Sequence, residues 1–352
     1  MPDEVAVRES FREQAQWCDK LGSPFTALLC RTLAEHLHSS TSAGSAILGW
    51  AGDPRASADA LALRVAGALH AVARSGREPA LQDIYPPAPL PDGLALWQAC
   101  RSAFERHAQR VHDYLALAPQ TNEVGRSGVL IAGLLLFAQR FSVPLHLFEI
   151  GASAGLNLHA DRYRYRFGAA TWGDAQVPLE IAPAWSGNAP PVDVALHVAS
   201  RQGSDIAPID ISLDAQRARL LSYVWPDQVD RLHRIEQAID IALAQPTRLE
   251  AMDAADWVEL RLPPHDAARA GGRVLLHSVF WNYLPPAAQR RIEARVAACG
   301  ATATPAQPFG WLRFELDPVN GPAALTLTAW PGGEARLVAR AHPHGTTITY
   351  LL

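Results

Sequence analysis

The stretch Leu145-His-Leu-Phe-Glu-Ile-Gly-Ala-Ser-Ala-Gly-Leu-Asn-Leu158 decides the fold prediction, because a short apolar run leads directly into a turn of small residues. We predict a strand over Leu145–Ile150 and a helix start after the turn Gly151–Gly155. A ligand can approach the main chain where no Cβ intervenes, and free amides at a helix N-terminus point toward it. The stretch therefore predicts a nucleotide-type site. A purely structural strand-to-helix turn explains the same glycines.

Strand-like and helix-like segments alternate around this stretch. Strands are also predicted over residues 192–199, 248–252, 274–280, 311–316, 324–330 and 346–351, and helices over 126–141, 213–223, 229–244 and 287–299. Such alternation indicates an α/β domain, here residues 119–352, with a mainly parallel sheet covered by helices on both faces.

The chain before this domain is predicted to be mostly helical. Predicted helices cover residues 11–20, 24–38, 58–74 and 94–115, the last with apolar residues every three or four positions and Asp92 as its N-cap. Residues 1–118 are therefore predicted to form a helical N-terminal or cap domain.

Residues 163–191 interrupt the alternation. Tyr163–Phe167 and Val177–Ile181 look like short strands, and glycines at 168, 173 and 187 supply turns. We predict a β-hairpin insertion that overhangs the ligand crevice and, with the helical domain, selects the substrate.

Composition narrows the function classes. The net charge of −4, without a basic stripe, argues against a nucleic-acid partner. The most apolar run, Val129–Phe137, is shorter than the roughly 20 residues that cross a bilayer, and Met1–Glu4 carries no signal pattern. We expect a cytoplasmic protein without a membrane partner. The four scattered cysteines lack zinc-ligand spacing, so no metal is expected.

The order of motifs resembles that of class I S-adenosylmethionine-dependent methyltransferases, whose first strand ends in an acidic residue followed by Gly-x-Gly-x-Gly. Glu149, Gly151 and Gly155 match this pattern, and Ser153 replaces the middle glycine. The resemblance implies a Rossmann-like fold and S-adenosylmethionine as cofactor. The residues that it assigns to cofactor contact in this stretch are Glu149, Gly151, Ala152, Ser153, Gly155 and Asn157.

Two later segments continue the resemblance. Asp205, in Gly203-Ser-Asp205, matches the second-strand acid that accepts the ribose hydroxyls, although a turn Asp that binds its own backbone is an alternative. Asp253, with Ala254 beside it, matches the acidic turn near the adenine. Asp256 is the second match, and either residue could instead be a helix N-cap.

Two further segments supply candidates near the methyl group and the amino-acid end of the cofactor. His277 as a general base and Tyr283 are the candidate catalytic residues, and a satisfied core histidine is the alternative for His277. Glu123 and Arg126 are candidates for the charged end of the cofactor or for substrate. A solvated helix start also explains them.

The chain also resembles an uncharacterised bacterial family of unknown function. The resemblance rests on Asn122-Glu-Val-Gly-Arg-Ser127, on the sequence from Glu149 to Asn157, and on the closing His342-Pro-His-Gly345. It extends over most of the chain and implies no activity.

Gly151-Ala-Ser-Ala-Gly155 also satisfies Gly-x-Ser-x-Gly, the nucleophile elbow of α/β-hydrolases. Ser153 would then be the nucleophile, with Asp253 or Asp317 and with His342 or His344. Upstream, a His-Gly-Gly-type oxyanion segment is missing, and helices stand where several strands are expected.

His342 and His344 could also offer two imidazoles to a metal, without an evident third ligand, or simply form a turn.

The sequence therefore predicts a transferase in which a nucleophile of an unidentified, small-molecule acceptor attacks the sulfonium methyl carbon in line. The protein would contribute positioning and exclusion of water. A methyltransferase-like protein that binds its ligand without chemistry is a further alternative. The oligomeric state is left open.

Overall fold

The computed structural model describes residues 3–264, 270–317 and 319–352, so Met1 and Pro2 of the N-terminal prediction lie outside the described residues. The first of two compact units comprises residues 1–121 and 213–233. Its helices are α1 (Glu4–Lys20), α2 (Pro24–His36), α3 (Ser42–Leu48), α4 (Leu61–Arg74), α5 (Pro79–Gln82), α6 (Gly93–Arg106), α7 (Ala108–Leu115) and α9 (Asp214–Ser222). One apolar core contains residues of α1 to α7, with Phe11, Phe25 and Phe104 among its fully buried side chains.

The single helix predicted over residues 94–115 is wrong. His107 leaves the helical conformation (φ −121°, ψ 29°), so α6 ends and α7 begins there. Asp92 accepts hydrogen bonds from the amides of Leu94 and Ala95, which confirms the predicted N-cap of α6.

The second unit, residues 122–212 and 234–352, contains a nine-stranded mixed sheet. Its strands are β1 (Leu145–Ile150), β5 (Ala184–Ser186), β6 (Val198–Asp205), β7 (Leu249–Ala251), β8 (Gly272–Ser278), β9 (Phe309–Asp317), β10 (Gly321–Trp330), β11 (Glu334–Ala341) and β12 (Thr347–Tyr350). The remaining helices are α8 (Ser127–Phe141), α10 (Val229–Ala244, which begins in the first unit), α11 (Ala254–Arg261) and α12 (Pro286–Ala301).

The strand order is β5-β12-β11-β10-β9-β8-β1-β6-β7. Strands β7, β6, β1, β8 and β9 run parallel to one another, whereas β10, β11 and β12 continue the sheet as an antiparallel meander. The α/β prediction is therefore confirmed, with a mixed sheet. The core on one side contains Phe148, Trp257, Leu275 and Ile292.

Three sequence predictions within this unit need correction. The strand predicted over 192–199 is β6, shifted to Val198–Asp205, because pairing with β1 selects a register in which Gly203 lies beside Glu149. Strand β11 was not predicted. The helix expected after Gly155 consists of two short 3₁₀ segments within Leu156–Arg162, separated by a kink at His159, so it offers little of the aligned dipole of an α-helix.

The insertion forms more than a hairpin. Strands β2 (Arg164–Phe167) and β3 (Ala170–Trp172) pair antiparallel and form a hairpin, although its second strand was predicted at Val177–Ile181. However, β4 (Glu180–Ile181) adds to β2 in parallel, and β5 joins the large sheet beside β12.

Among the described residues, Val124–Phe141 is the stretch whose length and apolar composition would suit a membrane span, and 72% of that window is buried within the structure. A buried core helix has the same properties.

Candidate functional site

The glycine turn, Gly151–Gly155, follows β1 and has three residues in the left-handed region: Gly151 (φ +66°), Ser153 (φ +53°) and Gly155 (φ +72°). A Cβ at residue 151 would lie 2.3 Å from Cδ2 of Phe280, so the ring of Phe280 packs directly on this Cα. The turn therefore requires glycine at residue 151 for both conformation and space.

The amides of the glycine turn donate within the protein. For Ala152, Ser153, Gly155 and Leu156 the acceptors are, in order, Ser204 O (3.0 Å), Asp205 Oδ2 (2.9 Å), Ala152 O (2.7 Å) and Asn122 Oδ1 (2.9 Å). For these four amides, the prediction that they face a ligand is wrong, because each already has an internal acceptor.

Asp205 ties the end of β6 to the glycine turn. One carboxylate oxygen accepts the amide of Ser153, and the other accepts the amide of Ala207 at 3.0 Å. The main-chain oxygen of Asp205 accepts the amide of Met252 at 3.1 Å. Asp205 thus binds the backbone of its own turn, which is the alternative considered from the sequence. It also lies beside the glycine turn and close to the start of α11.

Glu149, at the end of β1, is 1% exposed, and its Oε2 has no hydrogen-bond partner. Burial raises the pKa of this carboxyl well above its usual value. The nearby Asp205 raises the pKa further, and Arg126 opposes the shift. This side chain is therefore a desolvated acid with unused acceptor capacity.

The segment before α8 packs on the turn. The guanidinium of Arg126 donates to the main-chain oxygens of Ser278 (3.1 Å) and Pro343 (2.9 Å). The Glu123 side chain accepts the amide of Gly125 at 3.0 Å, and the Asn157 side chain donates to the main-chain oxygen of Glu123 at 3.4 Å. These contacts bring Arg126 to the end of β8 and Asn157 to Glu123.

Asp253 is the N-cap of α11. Its Oδ1 accepts the amides of Ala255 (2.9 Å) and Asp256 (3.2 Å), which is the capping alternative weighed from the sequence. Ala254 is the buried first residue of the helix.

His277 is fully buried on β8 and has two ring partners. Its Nδ1 lies 2.6 Å from Glu315 Oε1, and its Nε2 accepts from the indole of Trp311 at 3.2 Å. Because Nε2 is an acceptor, Nδ1 carries the proton and donates to Glu315. This geometry matches the core-histidine alternative. Tyr283, the other catalytic candidate, is 79% exposed in a short 3₁₀ helix.

The chain leaves β8 through a strained residue. Val279 has φ +50°, which is a rare conformation for a β-branched side chain. Its amide donates to Phe314 O at 2.7 Å. Such strain clusters at functional sites, and here it directs Phe280 toward Gly151.

A cavity of about 360 Å³ borders the glycine turn at Ala154. Its walls are residues 208–212 after β6, residues 242–243 and 246–249, and His159. Burial lowers the pKa of His159 to about 4, and its Nδ1 has no hydrogen-bond partner. Glu149, Asp205 and Asp253 are outside this lining.

The contacts needed for a hydrolase are not assembled at Ser153. Its Oγ is buried without a hydrogen-bond partner, whereas a serine nucleophile needs an adjacent base. Asp317 instead binds Arg340 at 2.9 Å, and His342 Nδ1 accepts the amide of His344 at 3.1 Å. Among the residues that the structure describes, no group of three or more metal-binding side chains occurs.

Three residues that line cavities were missed from the sequence: His159, Arg313 and Glu315. A charge at every second position of β9, from Arg313 to Asp317, was the available signal, because alternate residues share one face of a strand. His159 had no sequence signal, since its position in the cavity wall depends on the 3₁₀ kink.

Comparison with known proteins identifies a family. Residues 8–350 match the model of DUF2332, described as an uncharacterized protein conserved in bacteria. The chain belongs to this family. No curated protein and no solved structure matches the chain.

Proposed function

We propose that this member of the DUF2332 family binds S-adenosylmethionine at the carboxyl ends of β1, β6 and β8 and methylates a small molecule. The strand order supports the proposal. Numbered along the chain, the five parallel strands have the spatial order 3-2-1-4-5, which is that of a Rossmann-like domain. The order reverses between β1 and β8, and ligands of such sheets bind at the carboxyl ends there.

The observation that carries the proposal is the pair of carboxylates at the ends of adjacent parallel strands, Glu149 on β1 and Asp205 on β6, on either side of the glycine turn. Glu149 Oε2 has no donor, although it is buried. The ammonium of the methionyl end fits this need, because a nearby cation stabilises a desolvated carboxylate. The residues present therefore fit the cofactor.

Asp205 suits the ribose diol. Each carboxylate oxygen has two lone pairs, so accepting a main-chain amide does not prevent it from also accepting a hydroxyl. The bond to the Ser153 amide fixes the carboxylate, which reduces the entropy lost when a diol binds. Recognition would rest on side chains, since most of the turn's amides are already engaged.

When bound, S-adenosylmethionine supplies a methyl group on a sulfonium that is already an activated leaving group. The chain's contribution is to hold and shield it. Arg126, fixed by two main-chain oxygens, suits the carboxylate of the methionyl end. Phe280 covers Gly151 and would exclude water from that side. We assign His277 a structural role, because Glu315 and Trp311 engage both of its ring nitrogens.

Calorimetric titration with S-adenosylhomocysteine tests the proposal. We expect binding to the wild-type protein, and affinity at least about tenfold lower in Asp205→Asn and Glu149→Gln, because each loses charge-assisted hydrogen bonds. Asp92→Asn is the matched control: Asp92 also accepts two amides, but at the N-terminus of α6, so affinity should be unchanged.

Absence of binding to the wild-type protein would overturn the proposal. Covalent labelling of Ser153 by a fluorophosphonate would favour the hydrolase alternative instead. Binding without methyl transfer across a panel of small nucleophiles would leave a ligand-binding protein.

A further inference from the structure

A second cavity, of about 250 Å³, lies against strands β8, β9 and β10 and helix α12. We call it the β9 cavity. Its walls include His277, Trp281, Glu293, Trp311, Arg313 and Glu315. It shares none of its lining residues with the cavity beside the glycine turn, and a ligand there would bind independently of the proposed function.

Arg313 is the unusual member of this lining. Its guanidinium lies over the ring of Trp311, with Cζ 4.1 Å from the ring centroid. One terminal nitrogen donates to Thr328 Oγ1 at 3.3 Å, whereas Nε is buried and has no acceptor. Burial lowers the pKa of this guanidinium, and the nearby Glu293 and Glu315 only partly offset the effect. A half-buried cation without a hydrogen-bonded anion is costly, so an anionic partner would stabilise it.

Two of the three carboxylates that line the cavity, Glu315 and Asp317, have partners other than Arg313. Glu315 accepts from His277 Nδ1 (2.6 Å) and from the amides of Phe280 (3.0 Å) and Trp281 (3.2 Å). Asp317 pairs with Arg340. Glu293 is exposed on α12. Among the described residues, Arg313 therefore forms no ion pair within the cavity that it lines.

The remaining walls set the shape of the ligand. The indoles of Trp281 and Trp311 meet at an interplanar angle of 63° with centroids 5.7 Å apart, and form an aromatic corner beside the guanidinium. Flat apolar groups pack well on such rings. The cavity is smaller than the 300–1,000 Å³ of pockets for drug-sized ligands, so its ligand is smaller too.

We propose that the β9 cavity binds a small carboxylate with a flat apolar body. The carboxylate accepts from the Arg313 guanidinium, whose planar fork matches it, and the body packs on Trp281 and Trp311. The site is separate from the glycine turn.

Titration of the full chain with benzoate tests this inference, with benzamide and benzylamine as the neutral and cationic analogues. We expect benzoate to bind, benzamide to bind at least about tenfold more weakly, and Arg313→Met to weaken benzoate binding at least about tenfold, because a charge-assisted hydrogen bond is lost. Arg336→Met, an exposed arginine on β11, is the matched control and should leave benzoate affinity unchanged.

Ala324→Phe provides a second test that keeps Arg313. Ala324 lines the cavity, so a larger side chain should fill it and abolish benzoate binding. The proposal is overturned if no probe binds, if benzamide or benzylamine binds as tightly as benzoate, or if a folded Arg313→Met or Ala324→Phe variant retains wild-type affinity. Circular dichroism establishes that each variant is folded.

Discussion

The glycine turn and the β9 cavity differ in which ionisable side chain lacks a hydrogen-bond partner. At the glycine turn, Glu149 is buried with one oxygen that has no donor. At the β9 cavity, the carboxylate of Glu315 is satisfied by an imidazole and two amides, and the cation Arg313 has a buried nitrogen without an acceptor. The two sites of one sheet therefore differ in the kind of group that lacks a hydrogen-bond partner, a carboxyl oxygen at the first and a guanidinium nitrogen at the second.

The largest effect is expected from Gly151→Ala. The new Cβ would stand in the left-handed region and 2.3 Å from the ring of Phe280, so the free energy of unfolding should fall by about 2–5 kcal/mol, the sum of backbone strain and overpacking. Urea denaturation measures it. Gly168→Ala is the matched control, with φ +65° but its nearest contact at 4.0 Å. It should cost only about 1–2 kcal/mol. Equal costs would contradict close packing at Gly151.

A smaller loss is expected from Glu315→Gln. The amide would weaken the bonds to His277 and to the amides of Phe280 and Trp281, so the free energy of unfolding should fall by about 1–3 kcal/mol. Thermal and urea unfolding would measure the loss. Glu293→Gln, on the exposed side of the same cavity, should change it by less than about 0.5 kcal/mol. If Glu315→Gln left the free energy of unfolding unchanged, Glu315 and Glu293 would not differ in their contribution to stability.

Glu149→Gln should raise the free energy of unfolding at pH 7, whereas the two substitutions above lower it. Because the folded pKa of Glu149 is raised, the folded state keeps the proton that the unfolded state releases as pH rises above the ordinary value of 4.5. Unfolding is therefore increasingly favoured up to the raised folded pKa. We expect Glu149→Gln to stabilise the protein at pH 7 and to have little effect below pH 4. Urea midpoints across this range measure the difference. A destabilised variant at pH 7 would show that Glu149 has a favourable partner.

The strands that could be predicted are those with an uninterrupted apolar pattern. Leu145–Ile150 was predicted at its observed bounds, because five of its six residues are buried. Strand β6 was misplaced, since Val198–Asp205 is largely polar and half-buried. Its position follows from pairing with β1, which is tertiary information that overrides local propensity. Strand β11 was missed because much of it is exposed.

The candidate site was predictable only to the level of strand ends. Parallel strands bring their carboxyl ends to one edge, so the proximity of Asp205 to the glycine turn followed from topology. The hydrogen-bond partners of each group did not follow from topology. That Ser153 donates to Asp205, or that Trp311 fixes the tautomer of His277, depends on side-chain packing between distant segments.

Strand β5 has a consequence for how this protein meets other copies of itself. Its three residues, Ala184–Ser186, pair with Thr347–Thr349 and so cover the exposed side of the last strand of the chain. The new border is short, with Pro183 before it and Pro190 and Pro191 soon after, and proline cannot donate to an incoming strand. In a chain without residues 163–191, β12 would be an exposed edge strand, and we expect that chain to aggregate through this edge.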